Sequence, residues 1–96
     1  MPFTLIDWNL QTMLQVFASP GHTLDSVSVK VVTEDGVVVV AGDTFEKEED
    51  IDDETIWKLA GSEDEQQQMK SRNDILALAD FIVPGHGPMF NNKRKK

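Results

Sequence analysis

Three short loops, each with glycine beside a residue that can bind a metal, follow apolar and β-branched runs in this sequence. They are Pro20-Gly21-His22-Thr23, Gly42-Asp43 and Pro84-Gly85-His86-Gly87-Pro88. Glycine next to the ligand residue allows the backbone to turn sharply where a strand ends. The pattern therefore predicts strands that end in tight turns. A histidine, an aspartate and a second histidine at those turns are ligand types of a hydrolytic zinc site, including one with two metals.

The length and composition of the chain allow one small domain at most. The chain has 96 residues, of which 40% are hydrophobic, so a core is possible but a domain of this size is only marginally stable alone. Because there is no cysteine, the zinc ligands are limited to His, Asp and Glu. The N-terminus lacks the pattern of a signal peptide, and the longest apolar run is too short to span a membrane. We expect a cytoplasmic and/or nuclear protein without a membrane partner.

The charge of the chain is strongly acidic and concentrated in one segment. The net charge is −8, and ten of the 17 acidic residues lie within residues 46–65, beginning with an acidic connection over 46–53. Such a patch repels phosphate backbones, so no broad nucleic-acid surface is expected here. The basic cluster at residues 93–96 is the exception. We interpret it as a solvated tail, with nuclear import or RNA contact as the alternative.

Alternation of apolar and polar residues predicts most of the strands. A short strand over residues 14–18 enters the first histidine loop, and residues 26–33 alternate as a second strand. Residues 37–41 are continuously apolar, which is typical of a strand that is buried on both faces. Residues 34–36 predict a tight hairpin in which the glycine adopts positive φ. A last short strand over residues 80–83 leads into the second histidine loop.

Two helices are predicted between the aspartate loop and the last strand. The first covers residues 53–60 and ends at Gly61. Ser62 and Glu65 have the spacing of a capping box, which predicts the start of a second helix that runs to about residue 79. The residues predicted on one side of that helix, with the arginine stem at its edge, are Met69, Arg72, Ile75, Leu76 and Ala79. Residues 1–13 are ambiguous between strand and helix. An α+β fold with the order β-β-β-α-α-β and helices on one face of a sheet is expected.

The order and the chemistry of the three loops resemble the last three metal-binding motifs of the metallo-β-lactamase superfamily. The Pro-Gly-His-Gly-Pro loop is the most specific of them, because four residues restrain one histidine. The runs 23–29, 42–51 and 78–90 are also similar to members of that family. The resemblance begins at Ser19 and extends to about Phe90, about three quarters of the chain.

The resemblance implies the C-terminal half of an αββα sandwich, with residues 1–90 as a partial domain and residues 91–96 as a basic tail. By the family pattern His22 would complete one zinc site, Asp43 would bridge two Zn²⁺ ions and serve catalysis, and His86 would complete the second site. Such metals lower the pKa of bound water toward about 7 and so supply hydroxide. The candidates for orienting the ligands by hydrogen bonds are Thr23, Asp25 and Thr44.

The function implied by the resemblance is a zinc-dependent hydrolase, and for the intact protein an endoribonuclease that acts on histone pre-mRNA 3′ ends. A glyoxalase II-like hydrolase of thioesters or esters uses the same ligands and stays open as an alternative. The expected partners are accordingly RNA or a small ester or thioester substrate. A third alternative is a catalytically inactive fragment that acts by interaction.

The sequence departs from the family pattern in one major respect. The earlier family motif, His-x-His-x-Asp-His, is absent, and His22 and His86 are the only histidines. Because a zinc site needs three or four protein ligands, we expect this chain alone to bind zinc weakly, at one site or none, and to be inactive. The predicted helices can cover only one face of the strand at residues 37–41. A homodimer, a larger assembly or partial unfolding is therefore expected.

Overall fold

The structure, a computed structural model, describes residues 13–94. These residues form five strands, two α-helices and one 3₁₀ helix. The predicted α+β fold and the order of strands, helices and strand are confirmed. The ambiguous segment at residues 1–13 lies almost wholly outside the described residues. The elements are β1 (Leu14–Ala18), β2 (Val27–Thr33), β3 (Gly36–Gly42), a 3₁₀ helix (Glu48–Ile51), α1 (Glu54–Ala60), α2 (Glu65–Leu78), β4 (Phe81–Pro84) and β5 (Phe90–Asn91).

The strands form one mixed sheet in the order β1-β2-β3-β4-β5. The pairs β1/β2, β2/β3 and β4/β5 are antiparallel, whereas β3 and β4 are parallel. The strands β1, β3 and β4 therefore point in the same direction, and their C-terminal ends lie at one edge of the sheet. The predicted hairpin between β2 and β3 is present, with Gly36 at φ 132°. The two-residue strand β5 was not predicted.

The core lies on one face of the sheet, beneath the helices. Its buried side chains come from β3, β4, β5, the loop after β3, α2 and the residue that follows α2: Val39, Ala41, Phe45, Ile75, Ala79, Ile82 and Phe90. The apolar run of β3 is typical of a strand buried on both faces, but the predicted helices were expected to cover only one of them, and on the other face Val40 is 41% exposed. The sequence of β3 is continuously apolar because its side chains are apolar on both faces of the sheet. Within the described residues only one of these faces has helices packed against it.

The first helix has the predicted ends, but the second begins differently. The Asp53 side chain accepts a hydrogen bond from the Thr55 amide at the start of α1, and Gly61 follows the helix at φ 109°. The predicted capping role of Ser62 is wrong. Asp64 caps α2 by accepting from the Gln67 amide at 3.0 Å, while the Ser62 hydroxyl donates to the Gly21 carbonyl at 3.1 Å.

The second correction concerns Arg72, which was predicted at the edge of the apolar side of α2. Its guanidinium is inside the protein, and the residue is only 3% exposed. It lies 4.2 Å from the centre of the Phe45 ring and 5.0 Å from that of Trp57. Burial is possible because the guanidinium donates to the buried Asp50 carboxylate at 2.9 Å.

The chain after β5 packs back against the helices. The Asn92 side-chain amide donates to the carbonyls of Leu76 and Ala79, at 2.8 and 2.7 Å, and so satisfies the C-terminal end of α2. Arg94 forms an ion pair with Asp52. None of the helices within residues 13–94 combines the length and the hydrophobicity that a membrane span requires.

Candidate metal centre

The ends of β1, β3 and β4 bring the three predicted ligand residues to one point at the sheet edge. The Nε2 atom of His22 lies 3.4 Å from one carboxylate oxygen of Asp43, and the Nε2 atom of His86 lies 3.1 Å from the other. These residues are separated by 21 and 43 positions in the chain. The common direction of the three strands accounts for their meeting. The assignment of each residue as a metal ligand stays a prediction.

The ring of His22 is oriented by a hydrogen bond on the side away from Asp43. Its Nδ1 atom lies 2.9 Å from the carbonyl oxygen of Gly61. Because a carbonyl oxygen only accepts, Nδ1 carries the proton, and Nε2 of the neutral ring presents a lone pair to Asp43. Two acceptors facing each other at 3.4 Å require a proton or a cation to link them. A histidine held by a carbonyl in this way has the arrangement commonly found for metal ligands.

The loop that carries His22 is fixed by the start of α2 and the segment before it. Gly21 has φ 142°, and a Cβ atom at this position would lie 2.2 Å from the Cα atom of Gln68. Only glycine therefore allows this close approach. The loop carbonyls are bound by polar groups from residues 62–71. The donors are the hydroxyl of Ser62 and the amide of Asp64 to Gly21, the amide of Glu63 to His22, and the hydroxyl of Ser71 to Pro20.

Glu46 is a fourth member of the cluster that the sequence analysis missed. Its Oε2 atom lies 3.4 Å from His86 Nε2, and the residue is only 7% exposed. The backbone of the same loop pairs with the last histidine loop, since the amides of Gly85 and His86 donate to the carbonyls of Phe45 and Glu46 at 2.9 Å. The sequence signal for Glu46 is its position three residues after Asp43, but Glu46 was interpreted as part of the acidic connection over residues 46–53.

The environment of Glu46 disfavours its negative charge in the metal-free protein. Burial raises the pKa of the Glu46 carboxyl group, and the negative charge of Asp43 raises it further. The nearby imidazoles of His86 and His22 act in the opposite direction and lower this pKa. A divalent cation would compensate both carboxylates. The donor set of two imidazoles and two carboxylates therefore fits zinc or a similar ion.

The three residues proposed to orient the ligands lie in different surroundings. The hydroxyl of Thr23 is 2.8 Å from that of Ser26, within its own loop, and Asp25 is exposed. Thr44 is 1% exposed, and its carbonyl accepts from Arg72 at 2.9 Å. The Thr44 hydroxyl has no hydrogen-bond partner among the described residues. Thr44 thus restrains the loop of Asp43 through its backbone.

Comparison with known proteins identifies relatives that share most of this chain. Metallo-β-lactamase domain-containing protein 1 of Xenopus laevis is 51% identical over 78 residues, which are 80% of this chain and 32% of that protein. The proteins of the same name from Homo sapiens and Mus musculus are 49% and 48% identical over 84 and 85 residues. Each of these two alignments covers 85% of this chain, and 30% or 31% of the relative.

Most of this chain is homologous to metallo-β-lactamase domain-containing proteins. The family resemblance predicted from the three loops is thereby confirmed. The chain spans about a third of the length of the curated relatives it matches. No protein-family model matches the chain.

The close packing of Gly85 against Asp43 leads to a specific prediction. A Cβ atom at Gly85 would lie 2.0 Å from the Oδ1 atom of Asp43. We expect Gly85→Ala to displace the Asp43 carboxylate and to lower the affinity for Zn²⁺ by about 10- to 100-fold, the range for residues that orient metal ligands. Isothermal titration calorimetry of the 96-residue chain measures this effect.

Gly87→Ala is the matched control for Gly85→Ala. A Cβ atom at Gly87 would lie 3.3 Å from the Cβ atom of Lys47, a contact that a displacement of a few tenths of an ångström relieves, in contrast to the 2.0 Å contact at Gly85. We expect a smaller loss of Zn²⁺ affinity than in Gly85→Ala, because the contact at Gly87 is with Lys47 and not with a proposed ligand. Equal affinities of the two alanine variants would contradict the role assigned to the Gly85 contact.

Proposed function

We propose that this chain supplies His22, Asp43 and His86 as ligands to the centre of a zinc-dependent hydrolase. The observation that carries the proposal is the convergence of the two imidazoles on opposite oxygens of one carboxylate, at 3.4 and 3.1 Å. The names of the relatives, which contain the term metallo-β-lactamase, support a metal-dependent hydrolytic activity of the same kind.

The side chains of this centre have distinct roles in the proposal. Asp43 would offer one oxygen beside His22 and the other beside His86, so that each imidazole would share a metal position with one carboxylate oxygen. The Gly61 carbonyl keeps the His22 lone pair directed at Asp43, because it holds the proton on Nδ1. Zinc, when bound, supplies Lewis acidity and lowers the pKa of water toward about 7. The residues of this chain would therefore position the ion, while the rest of the domain would complete its coordination.

For the intact protein, we propose endoribonuclease activity on histone pre-mRNA 3′ ends. The support for this substrate class is the resemblance of the runs 23–29, 42–51 and 78–90 to metallo-β-lactamase domain-containing protein 1 in particular. The geometry of the ligands does not select it, because the same ligands serve thioester hydrolysis. The acidic segment at residues 46–65 offers no phosphate-binding surface, so RNA contacts would come from other parts of the protein.

A chimera of the human relative tests both levels of this proposal. The segment of human metallo-β-lactamase domain-containing protein 1 that matches this chain is replaced by the chain itself, which is 49% identical over 84 residues. The chimera is loaded with zinc and incubated separately with RNA that contains a histone pre-mRNA 3′ end and with an acyl thioester. We expect the chimera to cleave the RNA at least about 100-fold faster than the same chimera with Asp43→Ala, because this substitution would remove a ligand from both proposed metal positions.

Two outcomes would contradict the proposal at different levels. Thioester hydrolysis without RNA cleavage would replace the endoribonuclease by a glyoxalase II-like enzyme. An inactive chimera, compared with an active human protein, would show that this chain does not support a hydrolytic centre. The non-catalytic alternative would then be favoured.

A further inference from the structure

Glu46 places a third donor atom beside Asp43 and His86, which are the two residues of this chain that the family pattern assigns to the second metal site. Among the described residues, one donor atom from each of Asp43, Glu46 and His86 lies within 4.8 Å of the others. His86 Nε2 is 3.1 Å from the Asp43 oxygen and 3.4 Å from the Glu46 oxygen. Donor atoms that surround a tetrahedral zinc ion at ~2.0–2.2 Å are ~3.3–3.6 Å apart. The spacing of these side chains is close to that of ligands sharing one ion.

The backbone of Glu46 is held in place by hydrogen bonds at both its amide and its carbonyl group. The Glu46 amide donates to the Asp50 carboxylate at 2.7 Å, and its carbonyl accepts from the His86 amide at 2.9 Å. Asp50 is itself bound by the buried guanidinium of Arg72 at 2.9 Å. The direction of the Glu46 side chain therefore depends on a fixed loop, and a ligand in this position would be preorganised.

The Glu46 carboxylate lacks the partners that a buried carboxylate needs. Its side chain is only 10% exposed, and the contact at 3.4 Å with His86 Nε2 is its single approach to a possible donor among the described residues. It also lies near the negative charge of Asp43, which adds repulsion. A buried charge is costly unless it is paired or coordinates a metal. A divalent cation between the three side chains removes this cost.

We propose that Glu46 is a metal ligand and that, together with Asp43 and His86, it lets this chain hold one divalent cation of the zinc class. The inference rests on the proposed function, since it concerns the same centre, but it adds a ligand that the family resemblance does not assign. Three protein ligands leave a fourth position open, as in catalytic zinc sites. His22 faces the other oxygen of Asp43 and belongs to the neighbouring position, which has only two ligands. One ion per chain is therefore expected.

The test measures binding of Zn²⁺ and Co²⁺ to the 96-residue chain and to two variants. Glu46→Gln keeps the size of the side chain and removes its charge. Glu49→Gln removes the same charge from an exposed residue three positions later in the acidic segment. We expect one ion per chain by calorimetry, at least a tenfold loss of affinity in Glu46→Gln, and a change of less than about twofold in Glu49→Gln. The visible absorption of bound Co²⁺ is expected to change in Glu46→Gln alone.

Thermal unfolding with and without Zn²⁺ separates a ligand from a structural residue. In the absence of metal, Glu46→Gln is expected to unfold at the same or a higher temperature, because a buried charge beside Asp43 is removed. The rise in unfolding temperature caused by Zn²⁺ is expected to disappear. If Glu46→Gln does not fold, Glu46→Asp gives the same comparison, since it withdraws the carboxylate by one methylene group and keeps the charge.

The inference is overturned if the unsubstituted chain shows no saturable binding, or if Glu46→Gln binds Zn²⁺ as tightly as the unsubstituted chain. Its failure is distinguishable from failure of the proposed function. An active chimera in which Glu46→Gln retains full metal affinity would leave the hydrolase intact and remove Glu46 from its ligands. A chimera that binds metal through Glu46 but hydrolyses neither substrate would support Glu46 as a ligand and contradict the proposed hydrolase.

Discussion

Replacement of Arg72 by methionine is expected to lower the free energy of unfolding by about 3–5 kcal/mol, the cost of breaking a buried ion pair. The guanidinium donates to the Asp50 carboxylate, to the Asp50 carbonyl and to the Thr44 carbonyl, each at 2.9 Å. Methionine fills much of the space beside Phe45 but leaves the fully buried Asp50 without its cation. Because small domains have a total stability of about 5–15 kcal/mol, this loss is a large fraction of it.

Urea denaturation of Arg72→Met and its controls measures this effect. Lys70→Met removes an exposed ion pair with Asp74, whose two side chains are 75% and 63% exposed, and is expected to cost less than about 1 kcal/mol. The double variant Arg72→Met/Asp50→Asn is expected to recover part of the loss. Asparagine removes the uncompensated charge and can still accept from the Glu46 amide. A loss in Arg72→Met no larger than that in Lys70→Met would contradict the assigned role.

The isolated 96-residue chain is expected to associate or to be partly unfolded, because one face of its sheet is not covered by any helix of residues 13–94. We call this surface the open face. The register of the strands places three cross-strand rows of apolar residues on it: Leu14-Val31-Val38-Phe81, Val16-Val29-Val40-Val83 and Ala18-Val27. Val16 and Val27 are 66% and 57% exposed. An apolar patch of this continuity is unusual on a soluble monomer and promotes association.

Sedimentation at micromolar concentration, together with a dye that reports exposed apolar surface, measures this prediction. The double variant Val16→Lys/Val40→Glu places charges on the open face without changing the net charge of −8, and is expected to shift the chain toward monomer. Leu59→Lys is the control, because Leu59 is 86% exposed on α1 and stands apart from the open face. A homodimer is the smallest assembly that fits the prediction.

A compact monomer that unfolds cooperatively and binds no dye would contradict the association prediction. It would show that the 96-residue chain buries its own apolar surface. The interpretation of the chain as half of a sandwich would then need revision, because such a half exposes a face that the other sheet normally covers.

The sequence by itself determined the local elements and the positions of the candidate ligands along the chain. Gly36 predicted the hairpin because only a residue that tolerates positive φ fits its turn. Asp53 and Gly61 marked the ends of α1 because capping depends on neighbours within a few residues. The family resemblance named His22, Asp43 and His86 from their loops. These features are readable because each depends on a short segment, whatever the rest of the chain does.

Only the tertiary structure decided which polar groups meet. Glu46 looked like one of ten acidic residues in its segment, but the parallel pairing of β3 with β4 places it beside His86. Arg72 looked like a side chain at the edge of a helix, whereas the position of Asp50 makes its burial favourable. Ser62 has the sequence spacing of a capping box, but its hydroxyl donates to the Gly21 carbonyl and not to the start of α2. These contacts join residues that are 22 positions apart for Arg72–Asp50, 40 for Glu46–His86 and 41 for Ser62–Gly21. Local sequence preferences act over a few residues and therefore do not predict them.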